Sequence, residues 1–132
     1  MSKIMCIPKT FIKLTFLSTI LFFNLSSIAL ASDLSKCISN YCGSSCRATS
    51  NCGFIARSQI PACKSSCIPS AKNSLSRVAK SKRLNACKTS KSNFSKLTCG
   101  QVGTLLGITS GNGNTKRSLH AHSEGVKLGN QF

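Results

Sequence analysis

Eight cysteines lie in a stretch of this 132-residue chain that contains no acidic side chain. From Leu34 to Ser123 there is no Asp or Glu, against fourteen Lys or Arg. The cysteines there are Cys37, Cys42, Cys46, Cys52, Cys63, Cys67, Cys87 and Cys99. Uncompensated cations repel one another when a chain compacts. Whatever this segment folds into must therefore be held by something other than ion pairing, and the cysteines are the obvious means.

The N-terminus decides how those cysteines are read. Lys3, Lys9 and Lys13 form a positive leading region, and Leu14 to Leu30 is largely apolar. Ala29-Leu30-Ala31 is a small-x-small cleavage site. Residues 1–31 are predicted to be a secretory signal peptide, so that the mature chain begins Ser32-Asp33-Leu34. The alternative, an uncleaved anchor, needs about 20 apolar residues, and Asn24, Ser26 and Ser27 interrupt the run. A lipid anchor at Cys37 does not fit, because Lys36 precedes it. Cys6 would leave with the signal, and nine cysteines become eight.

An even cysteine count in an exported chain reads as a disulfide framework. The predicted mature chain has 101 residues, of which Leu, Ile, Val and Phe supply 19. Fifteen Lys and Arg against Asp33 and Glu124 leave a net charge of +13. That composition lies on the disordered side of the line between folded and unfolded chains. Each bridge offsets the deficit by about 2–4 kcal/mol, through restriction of the unfolded chain. Zinc is the competing use of cysteine, but the chain has no Cys-x-x-Cys and its two histidines lie far downstream. No metal and no cofactor is expected.

The chain divides into a cationic cysteine-rich module, residues 32–99, and a Gly/Ser/Asn-rich tail, residues 100–132, read as flexible. Within the module the expected elements are short helices. Asp33 caps a first helix carrying Leu34, Ile38 and Tyr41, with Gly43 ending it. Gly53 marks a turn before a short extended piece at Phe54 and Ile55. Pro61 opens a helix through Cys63 and Cys67, and Pro69 limits it. Ser70 then caps the best-defined helix of the chain, about Ala71 to Lys88, with Leu75, Val78, Ala79 and Ala86 on one face. A last weak helix spans Phe94 to Leu106. The predicted fold class is a small, disulfide-rich, mainly α protein.

Cys42-x-x-x-Cys46 and Cys63-x-x-x-Cys67 are separated by sixteen residues. A spacing of four puts two side chains on one helical face. Two such helices lying antiparallel can be clamped by Cys42–Cys67 and Cys46–Cys63. This twin arrangement resembles that of the α-hairpinin peptides and of the small intermembrane-space Tim chaperones. The resemblance covers Cys42 to Cys67 and rests on four cysteines. Cys52 inside the loop, Gly43 in the first helix, and Cys37, Cys87 and Cys99 depart from it. Eight cysteines allow 105 pairings, so the clamp stands beside pairings elsewhere. With it, Cys37, Cys52, Cys87 and Cys99 would pair among themselves.

Catalysis meets an inventory problem. General acid–base chemistry draws on His, Asp or Glu, and the mature chain offers Asp33, His120, His122 and Glu124, three of them in the tail. No catalytic residue is assigned, and the chain is expected not to be an enzyme. The segment Cys87 to Phe94 loosely resembles the lysine segment of secreted ribonucleases, but no histidine precedes it. His120-x-His122 with Glu124 is a weak transition-metal pattern, for which solvated tail histidines are the plainer reading.

Charge is the best functional lead. Lys72, Arg77, Lys80, Lys82, Arg83, Lys88, Lys91 and Lys96 fall within twenty-five residues and are assigned to binding an anionic surface. A solvated face is the plain alternative. Stacking aromatics are too few for sequence-specific nucleic-acid recognition: Tyr41, Phe54, Phe94 and Phe132. The expected partner is an anionic membrane or cell-envelope polymer, with antimicrobial or toxin-like activity. The alternative is a secreted or periplasmic interaction or effector protein with a protein partner. Two processing marks depend on the source: the dibasic Lys116-Arg117 and the glycosylation sequon Asn93-Phe94-Ser95.

With so thin a core, the fully reduced protein is expected to be largely unfolded, as read by far-UV circular dichroism. A cooperative thermal transition in reducing buffer would overturn this.

Overall fold

The computed structural model describes the backbone of residues 10–108 and 120–132, and side chains of residues 28–108 and 120–132. Five α-helices and no strands occur among the described residues: α1 (Thr10–Asn51), α2 (Ile60–Ser76), α3 (Arg83–Phe94), α4 (Cys99–Leu105) and α5 (Ala121–Gly129). Two 3-10 turns, Arg57–Gln59 and Lys80–Lys82, lead into α2 and α3. The chain forms two compact units, Met1–Ser32 and Asp33–Phe132. The second contains every disulfide and is the one described below.

Four bridges join its helices. Cys42–Cys67 and Cys46–Cys63 clamp α1 to α2, with Cα–Cα separations of 5.7 and 6.0 Å. The crossed order of the pairs makes the two helices antiparallel, and all four cysteines are fully buried. Cys37–Cys87 ties α1 to α3, and Cys52–Cys99 ties the end of α1 to the start of α4. The twin clamp and the pairing of the remaining four cysteines among themselves are thus both present.

Several helix limits differ from those expected. Gly43 does not end α1, which runs on to Asn51. A mid-helix glycine costs about 1 kcal/mol relative to alanine, less than the burial of Cys42, Ser45, Cys46 and Thr49 around it returns. The stop comes at Gly53, whose φ of 80° is open to glycine. Phe54 N–H donates to the Thr49 carbonyl and Gly53 N–H to the Ser50 carbonyl, a Schellman ending. Gly107 closes α4 in the same way.

Pro61 lies in the first turn of α2, as expected, but Pro69 does not limit it. An interior proline forfeits one hydrogen bond and costs about 3 kcal/mol or more. Here Cys63, Cys67, Ala71, Ser74 and Leu75 form a continuous buried stripe through Pro69, and keeping that stripe in register outweighs the loss. The expected helix from Ala71 to Lys88 is therefore two helices. The chain breaks over Arg77 to Ala79, which swings Cys87 towards Cys37 on α1.

The segment read as a loose tail contains a docked helix. α5 runs parallel to α2 and buries Ala121, Gly125, Leu128 and Gly129. A Cβ on Gly125 would collide with the Cys63 carbonyl and Ser66 Oγ, and one on Gly129 with the Cys67 carbonyl and Ser70. Three small residues at a spacing of four let α5 lie against the serine and cysteine face of α2. Ser70 Oγ donates to the Val126 carbonyl at 2.9 Å and to Asn130 Oδ1 at 2.8 Å, and Ser74 Oγ donates to the Phe132 carbonyl at 2.9 Å. The linker at Ser110 to Asn114 and the dibasic Lys116-Arg117 lie outside the described residues, as do the side chains of residues 1–27.

Tyr41 is the centre of the core. It is 1% exposed, and its hydroxyl donates to the Leu128 carbonyl at 2.9 Å. Its ring meets Phe132 edge-on at 4.8 Å and Phe94 at 6.0 Å. Burial pushes the phenol up to about 12, against a weaker opposing influence of Ser45. Ser45 Oγ itself forms no hydrogen bond of good geometry.

Replacing Gly125 by leucine is expected to undock α5 and cost about 1–3 kcal/mol, the usual range for overpacking. Hydrogen exchange should rise across Ala121–Gly129 while Cys42–Cys67 and Cys46–Cys63 stay intact. Unchanged protection there would refute the close helix contact.

Candidate functional site

The predicted basic residues occupy the surface in two different ways. Lys72, Arg77, Lys80, Lys82, Lys88, Lys91 and Lys96 are exposed. Arg83 is half-buried and committed to the backbone. Its Nε donates to the Val78 carbonyl at 2.9 Å and its Nη2 to the Ser76 carbonyl at 3.0 Å. These are carbonyls that the end of α2 leaves without helical partners. Arg83 thus spans the break between α2 and α3.

The break also disperses the run. Lys72 is on α2, Arg77 follows it, Lys80 and Lys82 lie in the turn, Lys88 and Lys91 on α3, and Lys96 beyond it. The run is not one helical stripe. What the fold brings together instead is a basic face across three helices, and two of its members lie outside the predicted run. Arg47 on α1 and Lys64 on α2 both reach over Gly43: a Cβ placed on that glycine would lie 3.9 Å from Arg47 Nη2 and 3.9 Å from Lys64 Nζ. On the other flank of α1, Ser44 and Ala48 border an open groove of about 440 Å³ shared with α3. Lys88, Lys91, Ser92, Phe94 and Ser95 complete its lining. At 100° per residue, Arg47 lies on α1 between the Gly43 flank and the Ser44–Ala48 flank. Lys64, Arg47, Lys88 and Lys91 therefore follow one another across α2, α1 and α3.

No carboxylate neutralises this face. The ion pair among the described residues is Lys127–Glu124, at 3.3 Å on α5. Lys127 Nζ also donates to the Leu106 carbonyl at 2.8 Å, tying α5 to the end of α4. Glu124 is 3% exposed, and its Oε2 has no hydrogen-bond partner. Alternate residues such as His120 and His122 share a face in an extended segment. The segment from Ala121 is helical, His120 and His122 are exposed, and Glu124 points inward. No group of three His, Cys, Asp or Glu gathers as a metal cluster among the described residues.

A second groove, of about 430 Å³, lies beside α4 between Phe54, Gly103 and Ile108, and no charged side chain lines it. Asn93 of the sequon is exposed near the end of α3, next to the buried Phe94. Among the described residues, no helix is long and apolar enough to cross a membrane. Four disulfides fit a protein of an oxidising compartment.

No family model, no curated protein and no solved structure matches the chain. The likeness to α-hairpinins is thus one of bridge pattern between two helices.

Arg47 and Lys64 had no signal in a linear reading, because they are isolated in sequence and converge only through the α1–α2 clamp. The commitment of Arg83 was equally hidden, since it depends on where α2 ends.

Arg83 and Lys91 should separate structure from surface. Replacing Arg83 by methionine is expected to cost about 1–3 kcal/mol, as two charge-assisted hydrogen bonds are lost. Replacing Lys91 by glutamine should leave stability within about 0.5 kcal/mol. Urea unfolding of both variants measures the difference, and equal stabilities would contradict the role given to Arg83.

Proposed function

We propose that this is an exported, non-enzymatic, cationic protein that binds anionic surfaces as a folded, disulfide-stapled body. The observation that carries the reading is the basic face of Lys64, Arg47, Lys88 and Lys91, on a chain that also exposes Lys72, Arg77, Lys80, Lys82 and Lys96 and has no acidic side chain between Leu34 and Ser123. Each Lys or Arg held near an anionic bilayer contributes about 1 kcal/mol. A cluster of this size gives firm adsorption at low salt and weak adsorption at high salt. The compact unit begins at Asp33, two residues after the proposed cleavage site, which supports release of residues 1–31 and a secreted protein, or a periplasmic one in a bacterium.

The partner is an anionic membrane or an anionic envelope polymer, and the activity antimicrobial or toxin-like. The second reading is a secreted interaction or effector protein. One observation favours it: the only large apolar side chain well exposed in the described part of the compact unit is Val126. The basic, partly apolar helix expected from Ala71 to Lys88 is broken, so that segment offers no long apolar stripe for insertion.

The test is binding of the oxidised protein to vesicles of phosphatidylcholine with and without phosphatidylglycerol, with dye release measured in parallel. Anionic vesicles should bind at least about tenfold more tightly than neutral ones, and binding should fall steeply between about 0.05 and 0.5 M salt. Release of dye supports membrane activity, and binding without release supports the interaction reading. Equal affinity for neutral vesicles would overturn the anionic-surface reading.

A further inference from the structure

The groove between α1 and α3 is more than part of a charged face. Its lining is mostly carbon, with Ala48 and Phe94 beside Lys88 and Lys91, whose long stems are apolar. Two of the three serine hydroxyls around it are occupied. Ser44 Oγ donates to the Asn40 carbonyl at 2.8 Å and lies 3.1 Å from the Tyr41 carbonyl, and Ser95 Oγ donates to the Ser92 carbonyl at 2.7 Å. Among the described residues, the charged donors at the groove are the two lysine ammonium groups, exposed and about one helical turn apart on α3, and neither bonds to another described residue.

That pairing of surfaces selects a type of ligand. A free inorganic anion would use the ammonium groups and leave the apolar wall wet. A neutral glycan would find few free hydrogen-bonding groups. An apolar chain ending in an anionic head matches both parts, and a volume of about 440 Å³ falls in the range of small-ligand sites, about 300–1,000 Å³. The α4 groove has similar volume but no cation, so it does not offer the same match.

We propose that the α1–α3 groove binds a single-chain anionic lipid, its acyl chain against Ala48 and Phe94 and its headgroup held by Lys88 and Lys91. This rests on the anionic-surface reading and narrows it, from attraction to a charged surface to capture of one lipid molecule. The groove is open at one side, which lets a chain enter while the headgroup remains in water. Phe94 also touches Tyr41, so a chain seated against its ring lies next to the core and is not in a mobile surface region.

The experiment uses the oxidised protein with dodecyl phosphate below its micelle concentration, followed by calorimetry and by NMR shifts of Ala48 and Phe94. Dodecyl maltoside and inorganic phosphate are the controls. Saturable binding of one dodecyl phosphate is expected, at least about tenfold tighter than either control. The double variant Lys88→Gln with Lys91→Gln should weaken it about tenfold or more. Ser92→Trp, an exposed position that fills the groove mouth, should block the chain while leaving the ammonium groups in place. Both variants alter exposed residues, and circular dichroism verifies their fold. Equal affinity for dodecyl maltoside or for inorganic phosphate would overturn the proposal, as would shifts confined to residues away from α1 and α3. Vesicle binding measured on the same samples separates the two claims. If anionic vesicles bind and dodecyl phosphate does not, the groove proposal fails and the surface reading stands. If neither binds, both fail.

Discussion

The clamp between α1 and α2 is the constraint on which the rest of the molecule depends. Cys42–Cys67 and Cys46–Cys63 hold two antiparallel helices close along one turn of each, and the four sulfurs are wholly buried. In most small domains large apolar side chains would fill that space. Here small side chains surround the bridges, and the sulfur atoms form much of the core. The clamp also sets the serine, cysteine and alanine face of α2 that receives α5. Cys63, Ser66, Cys67, Ser70 and Ala71 are the residues of that face which α5 meets.

Close approach takes the place of bulk. The chain buries few large side chains, and Tyr41, Phe94, Ile38, Ile55, Leu75, Leu106 and Leu128 are the main ones among the described residues. Ala121, Gly125 and Gly129 compensate by bringing the α5 backbone against α2, where dispersion contacts and serine hydrogen bonds replace side-chain burial. Tyr41 links this layer to α1 and α3 through one hydroxyl and two ring contacts. The core thus draws on both ends of the compact unit, which explains why a segment with the composition of a tail forms a docked helix at Ala121–Gly129.

The same economy shapes the surface. With nearly all carboxylates absent, most basic side chains have no internal partner and must remain in water. Arg83 and Lys127 are exceptions, each bonded to main-chain carbonyls at a helix end. The others form a field of one sign, which disfavours self-association and attracts polyanions. The α1–α3 groove is where this field meets an apolar wall, and it is there that a general attraction acquires a shape.

By itself the sequence determined the class of this protein: short helices, a deficit of large apolar residues, an even set of cysteines, and a cationic surface. Each of these follows from composition or from spacings of three to four residues, which local geometry converts directly into structure. The i, i+4 cysteine pairs even outlined the clamp, because one helical turn aligns both sulfurs. Only the tertiary structure decided that α1 continues through Gly43, that α2 survives Pro69, that Ala71 to Lys88 is two helices, and that α5 docks. It also decided that Arg47 and Lys64 join the basic face while Arg83 leaves it. These outcomes rest on contacts between residues far apart in the chain, where packing against a partner helix outweighs a local cost of a few kcal/mol. The Ala121, Gly125 and Gly129 stripe was present in the sequence as small residues four apart. Its meaning depended on the complementary face of α2, which lies far from it in the chain.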